Sequence, residues 1–270
     1  MRWLILLILL GVGVITVLEG IRKSEMDAWV AKQVGVLELQ VPLNMRNMAT
    51  GSGHVRELFQ QNSVEEKQIQ ALMLRESLEQ QSSVRIWSLG NVSQATATAY
   101  GVDQLHHFVN GYLLGFMPFH TDQAWVPLYT LANKLNYQLD HFQYPGTPEV
   151  WQNSVQAFFN TRGDCEDHAL ILADWLIGLG IEARVVMGTY KEAGHAWVVA
   201  YKDGSEYVLE ATGKQKQTSW RHYPLASLAT DYHPQYMFDR DFFWVNTGSP
   251  YTTRYSGERW VKVSQYIPAL

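Results

Sequence analysis

The chain has 270 residues, 47% of them hydrophobic and 17% charged, with a formal net charge of −5. That composition supports a packed core, and without a long lysine or arginine block it argues against nucleic acid as a partner. The single cysteine, Cys165, excludes an intrachain disulfide and any structural zinc site needing two thiolates from this chain.

Arg2 precedes an apolar run from Trp3 to Leu18, broken only by two glycines and Thr16. The run is shorter than the roughly 20 residues that cross a bilayer comfortably. No small-x-small cleavage site precedes Glu19-Gly20-Ile21-Arg22-Lys23, so residues 1–20 read as an uncleaved signal-anchor or transmembrane helix. This predicts a membrane-anchored protein with its globular part in the periplasm or outside the cell. Arg22 and Lys23 oppose an N-inside orientation, which leaves topology open.

Residues 21–62 read as a spacer and 63–270 as one globular domain. Ser63 and Glu66 have capping-box spacing, and Ile69, Leu72, Met73 and Leu78 continue a helical pattern to about Gln81. A short strand is expected at Val84–Leu89. Asp103 as a cap predicts a helix through Phe116. Thr121 predicts another through Leu139, with Pro127 at a kink or in the first turn. Thr147-Pro148 then opens a helix whose apolar stripe includes Val150, Trp151, Val155, Phe158 and Phe159.

The central helix follows Gly163. Asp164 is its expected N-cap, and Asp167 sits beside the positive helix end. Ala169, Leu170, Leu172, Ala173, Leu176 and Ile177 are apolar on more than one face, the pattern of a buried helix, and Gly178 and Gly180 can stop it. Ala183–Tyr190, His195–Lys202 and Glu206–Glu210 read as strands. Ala193-Gly194 is a turn, and Asp203-Gly204 is a hairpin signal. Phe242–Val245 and Trp260–Val263 are further candidate strands.

A thiol at a helix start, an imidazole opening a strand and a carboxylate closing the next are the parts of an activated cysteine nucleophile. A helix N-terminus and an imidazolium both lower a thiol pKa, whereas the neighbouring acids Glu166 and Asp167 oppose this. With Lys202 opposite Ser205, Glu210 becomes a diagonal neighbour of His195 on one face; a one-residue slip would separate them. Taken singly, Cys165 reads as a small buried hydrophobe and His195 as a packing residue. The combination favours catalysis.

Gly-Asp-Cys-Glu-Asp-His-Ala at 163–169, Gly-His-Ala-Trp-Val at 194–198 and Tyr-Val-Leu-Glu-Ala-Thr at 207–212 resemble the transglutaminase-like superfamily, which includes bacterial transglutaminase-like cysteine peptidases. The resemblance covers about residues 136–213. It implies an α+β, papain-like/transglutaminase core, with the nucleophile helix packed on an antiparallel sheet and additional N-terminal helices. It further implies Cys165 as nucleophile, His195 as general base and acid, and Glu210 where the family usually has aspartate, one methylene shorter. Some superfamily members bind calcium through acids flanking the cysteine. Asp164 and Glu166 match that position, although capping is the preferred role for Asp164, and no other cofactor is expected.

The Cys165 backbone N–H is one oxyanion donor. The second is open among Tyr137, Trp151 and Gln152. The expected activity is peptidase-like amide hydrolysis through a thioester, with a peptide or protein as substrate and the membrane as a partner of the N-terminal helix. The alternative is a non-catalytic binding or scaffold module of the same fold.

Overall fold

The computed structural model describes residues 2–213 and 222–269. The chain forms two compact units, Met1–Leu43 and Asn44–Leu270. The first is a long helix, α1 (Arg2–Gln40), and a short helix, α2 (Leu43–Arg46), falls at the boundary. Among the described residues no helix is long and apolar enough to cross a membrane, so the expected anchor and membrane partner find no support there. The apolar run covers only about 24 Å at ~1.5 Å per residue, against a hydrocarbon core of about 30 Å. Beyond it α1 continues through charged residues, including Glu19, Arg22 and Lys23.

The second unit begins with β1 (Gly53–Glu57) and β2 (Ser63–Glu65), followed by α3 (Glu66–Met73) and α4 (Leu78–Gln81). Residues 53–57, expected in a spacer, are therefore part of the main sheet. The helix expected over 63–81 is split. Ser63–Glu65 pairs with β1, so the capping box falls on Glu65 and Gln68 instead of Ser63 and Glu66.

β3 (Arg85–Leu89), β4 (Val92–Tyr100) and β5 (His106–Phe108) make a three-stranded antiparallel sheet. The helix expected from Asp103 is replaced by β5 and a 3-10 turn at Val109–Tyr112. The Asp103 carboxylate accepts from His107 Nε2 at 2.9 Å and the Leu105 N–H at 3.2 Å, so it caps no helix.

The next expected helix contracts to α5 (Val126–Lys134), with Pro127 in its first turn. β6 (Asn136–Tyr137), α6 (Asp140–Gln143), α7 (Ser154–Asn160) and β7 (Arg162–Gly163) follow. Thr147-Pro148 does not start α7. The Trp151 N–H donates to the Tyr100 carbonyl at 2.8 Å, which holds that stretch extended. Asn153 and Gln156 form the capping box instead.

α8 (Cys165–Gly178) packs against β8 (Glu182–Tyr190) and β9 (Ala193–Lys202). Leu170, Ile171, Leu172, Trp175 and Leu176 are fully buried, as a helix apolar on several faces requires. β10 (Ser205–Leu209), β11 (Tyr232–Phe238), β12 (Phe242–Asn246) and β13 (Trp260–Pro268) complete an eight-stranded sheet of order β10-β9-β8-β11-β12-β13-β1-β2, antiparallel throughout. The turn expected at Ala193-Gly194 lies two residues earlier, at Lys191 and Glu192, with φ of 48° and 70°. Val186, Trp197, Val199, Val208, Met237 and Trp244 cluster on one face of the sheet. The architecture is α+β, with the Cys165 helix lying on an antiparallel sheet.

Candidate active site

Three local devices bring the site together. The first is the start of α8. β6 pairs in parallel with β7, Tyr137 opposite Gly163, and so sets Tyr137 beside the helix N-terminus. A Cβ on Gly163 would collide with the Asp167 carboxylate, so only glycine admits this approach. The Asp167 carboxylate accepts from the Gln152 N–H at 2.8 Å and from Gln152 Nε2 at 2.6 Å. Asp164 occupies the N-cap position, yet its side chain makes no capping hydrogen bond. Its preferred role from sequence is therefore not the one it plays.

The second device is the hairpin. Ser205 pairs with Lys202 and Leu209 with Val198, across Asp203 and Gly204 with φ of 51° and 73°. Both residues lie in the left-handed region that a tight two-residue turn requires. This register is the one on which the His195–Glu210 neighbourhood depends. His195 Nε2–H donates to Glu210 Oε2 at 2.6 Å. Nδ1 is thereby left as the ring nitrogen for chemistry.

The third is the joint between helix and sheet. Cys165, His195 and Ala196 line one cavity of about 490 Å³. The Ala196 backbone N–H hydrogen-bonds the Cys165 sulfur, and the Cys165 thiol donates to Glu166 Oε2 at 3.4 Å. Cys165 and His195 therefore share one cavity, and Glu210 is bonded to the His195 ring. Burial and the charge of Asp164 push the Cys165 thiol up to about 12, against the opposing pull of the Ala196 N–H. The lowering expected from the helix N-terminus is outweighed by burial first and by the Asp164 charge next, while the Glu166 carboxylate that accepts from the thiol pulls the other way.

Sequence reasoning missed the residues that hold Glu210. Its Oε1 accepts from the Thr212 N–H at 2.9 Å and from the Thr212 hydroxyl, while the Tyr232 hydroxyl donates to Oε2 at 3.4 Å. Burial alone would raise the Glu210 carboxyl. The His195 bond and charge, with the two Thr212 donors, hold it below the ordinary range. The extra methylene relative to aspartate is thus taken up by a second anchor. The His195 ring stacks on Trp197 at 6.1 Å between centroids and lies 5.6 Å from Tyr190. The motif Glu-Ala-Thr carried the signal for Thr212, whereas Tyr232 lies in a strand the sequence pattern did not mark.

Of the three oxyanion candidates, Trp151 Nε1 is committed to Glu149 at 2.9 Å, and Gln152 Nε2 to the Arg162 carbonyl and Asp167. Tyr137 lines the cavity. Burial and the charges of Cys165, Asp164, Glu166 and Glu210 raise its phenol, which keeps the hydroxyl a donor.

Beside the thiol lies an acidic cluster. Asp140, Asp164, Glu166 and Asp167 are all buried, with one ligand oxygen each lying within 4.8 Å of the others. Asp140 Oδ1, Asp164 Oδ1 and Glu166 Oε1 have no hydrogen-bond partner. Burial, with neighbouring acids, raises Asp140, Glu166 and Asp167 above the carboxylate range. Oxygen-only and under-bonded, and anionic once the protons leave, this donor set fits a hard divalent cation.

Comparison with known proteins locates the same region. Residues 149–255 match the CEP76 peptidase-like domain. That is less than half of the chain. The centrosomal protein of 76 kDa from Mus musculus is 46% identical over 55 residues, 20% of this chain and 8% of that protein. Its Danio rerio counterpart is 41% identical over 59 residues, 21% of this chain and 9% of that protein. The chain thus spans under a tenth of the length of these relatives. Legionella pneumophila LapG is similar in structure at a TM-score of 0.38 and 21% identity, over 52% of this chain and 77% of that one. The curated relatives carry a centrosomal name, and the expected periplasmic or extracellular placement is withdrawn together with the membrane anchor.

Proposed function

We propose that this domain is a cysteine-dependent amide hydrolase acting on a peptide or protein through a thioester. The observation that carries this reading is the convergence of Cys165 and His195 on one cavity, with Glu210 bonded to the far ring nitrogen. His195 Nδ1 takes the thiol proton as sulfur attacks the carbonyl carbon, so a protonated resting thiol is activated only as substrate reacts. The Cys165 backbone N–H and the Tyr137 hydroxyl stabilise the oxyanion. As the C–N bond breaks, the imidazolium returns its proton to the leaving amine. Water, deprotonated by His195, then cleaves the thioester and restores the thiol. Glu210 holds the ring in the tautomer this sequence needs and stabilises its charged form.

A divalent cation, calcium by ligand chemistry, is assigned to Asp140, Asp164, Glu166 and Asp167 as part of the same reading. Bound there, it supplies positive charge that offsets the acids beside the thiol. Water is the acceptor in this reading because the cavity wall shows no dedicated amine site.

The test is cleavage of unfolded protein and of a mixed peptide library, with and without calcium. Wild-type protein cleaves, and Cys165→Ala and His195→Ala each lose on the order of 10²-fold or more in rate while keeping the native fold by circular dichroism. Cleavage unaltered in Cys165→Ala removes the hypothesis. The raised thiol favours one rival, a binding module that keeps the fold without turnover. Substrate binding with no acyl-enzyme detectable by intact mass selects that rival.

A further inference from the structure

The cavity lining is chemically mixed. The reacting groups and three acids contribute to it: Cys165, His195, Asp164, Glu166 and Glu149. All five fall inside the matched segment, residues 149–255. Ahead of that segment the lining comes from Val84, Ile86, Tyr137, Leu139, Asp140, His141 and Pro148. Five of these are apolar or aromatic, and three of the five remain open to solvent: Ile86 is 38% exposed, Leu139 41% and Tyr137 48%.

The strand geometry makes this wall apolar by alternation. Val84, just ahead of β3, lines the cavity with Ile86, and Arg85 lies on the opposite face of the strand from Ile86. Arg85 is held there by an ion pair with Glu76 and a hydrogen bond to the Gln80 carbonyl at 3.0 Å. The only charge on this stretch is thus turned out of the cavity. β3 is in turn fixed by β4, through Arg85–Thr98, Ile86–Ala97 and Trp87–Thr96, and by the Trp87 Nε1–H bond to Thr98 at 2.7 Å. An exposed apolar wall facing a nucleophile gains free energy only when something apolar covers it.

We propose that this wall is the selectivity surface of the site: it receives an apolar side chain of the peptide substrate next to the scissile amide, with Ile86 as its centre. The inference rests on the hydrolase reading, since the occupant is the peptide whose carbonyl Cys165 attacks. Leucine or a similarly sized aliphatic group is accepted by Val84, Ile86 and Leu139. An acidic side chain is rejected twice, by desolvation against these apolar groups and by repulsion from Asp164, Glu166 and Glu149, which line the same cavity.

The experiment uses the full chain with calcium present. Four peptidyl chloromethyl ketones differ only in the residue bearing the warhead: leucine, glycine, lysine or glutamate. The rate of mass gain at Cys165 is read for each, with iodoacetamide as a reagent too small to touch the wall. In the wild type the leucine reagent reacts about 10- to 100-fold faster than the glutamate one, the range that burying one aliphatic side chain supplies. Ile86→Asp lowers the leucine rate about tenfold or more and leaves the iodoacetamide rate unchanged. Ile86→Thr, which keeps a β-branched residue in the strand, gives a smaller loss in the same direction. It also serves if the aspartate variant fails to fold. Equal rates for the four reagents, or an Ile86 effect shared by iodoacetamide, overturn the selectivity wall and leave the hydrolase reading standing. Alkylation by iodoacetamide with no reaction towards any peptidyl reagent removes the hydrolase reading, and the wall with it.

Discussion

Glu210 sets how well the imidazole is held. Its two oxygens divide the work: Oε1 takes the Thr212 N–H and hydroxyl, and Oε2 takes His195. A longer side chain would wander more than an aspartate, and the Thr212 clamp removes that freedom. Glu210→Gln preserves shape but loses the charge that stabilises the imidazolium, and its amide can present a donor to Nε2. It should cut kcat by roughly 10²- to 10⁴-fold with little change in KM. Thr212→Val removes the hydroxyl donor while the backbone N–H remains, so its loss should be smaller and in the same parameter. Steady-state kinetics on a common peptide checks both. Cys165, His195 and Glu210 could be picked out as candidates in the sequence because the helix start, the strand and the hairpin turn that carry them have local signals. Tyr232 could not, because it reaches Glu210 from β11, a strand with no local mark.

At the scale of elements, two buried polar clamps tie the chain together. Asp174 on α8 accepts from the Phe116 N–H at 2.7 Å, the Gly115 N–H at 3.2 Å, the Ser154 hydroxyl at 2.5 Å and Arg240 Nε at 2.6 Å. It thus joins four separate segments at one carboxylate. Asp174→Ala strands those donors and leaves Arg240 without its charge partner. It should cost about 3–5 kcal/mol, read as a lower urea midpoint. The second clamp is His107, which pairs with Glu66 on α3 and with Asp103 at 2.9 Å. Burial opposes its charge, but those two carboxylates raise it from 6.5 to about 9. The folded value lies above the unfolded one, so its stabilisation is complete below pH 6.5 and is lost as pH rises through about 9. Urea midpoints of the wild type should therefore fall between pH 7 and 9.5 by more than those of His107→Gln. The Asp174 bonds to the Gly115 and Phe116 N–H groups, and the Trp151 N–H bond to the Tyr100 carbonyl, explain why helices read from capping patterns over 103–116 and from Thr147 did not form: partners far along the chain captured those backbone groups.

For the whole molecule, the proposed cation site at the acidic cluster predicts a coupling between cation binding and stability. Asp140 belongs to α6, whereas Asp164, Glu166 and Asp167 open α8, so an ion among them would tie the α6 segment to the nucleophile helix. A ligand at 100 times its Kd stabilises a fold by about 2.7 kcal/mol. Adding calcium to EGTA-treated protein should raise Tm by several degrees, and Asp140→Asn with Asp164→Asn should abolish the rise. No shift in wild-type Tm and no calorimetric heat would remove the cation from the reading. Fold legibility followed the range of the forces involved. The sequence alone determined α8, its hairpin partner strands and their register, because helical periodicity, the glycine stops and Asp203-Gly204 act within a few residues. It also determined the three side chains of the candidate site, through motifs that sit on those elements. Only the tertiary structure decided that residues 53–57 join the main sheet, that β5 and a 3-10 turn replace a helix, that the Asp164 side chain caps nothing, and that Val84 and Ile86 line the cavity that holds Cys165. Each depends on pairing or burial between residues far apart in the chain, where the energy of contact is set by the partner and leaves no local trace.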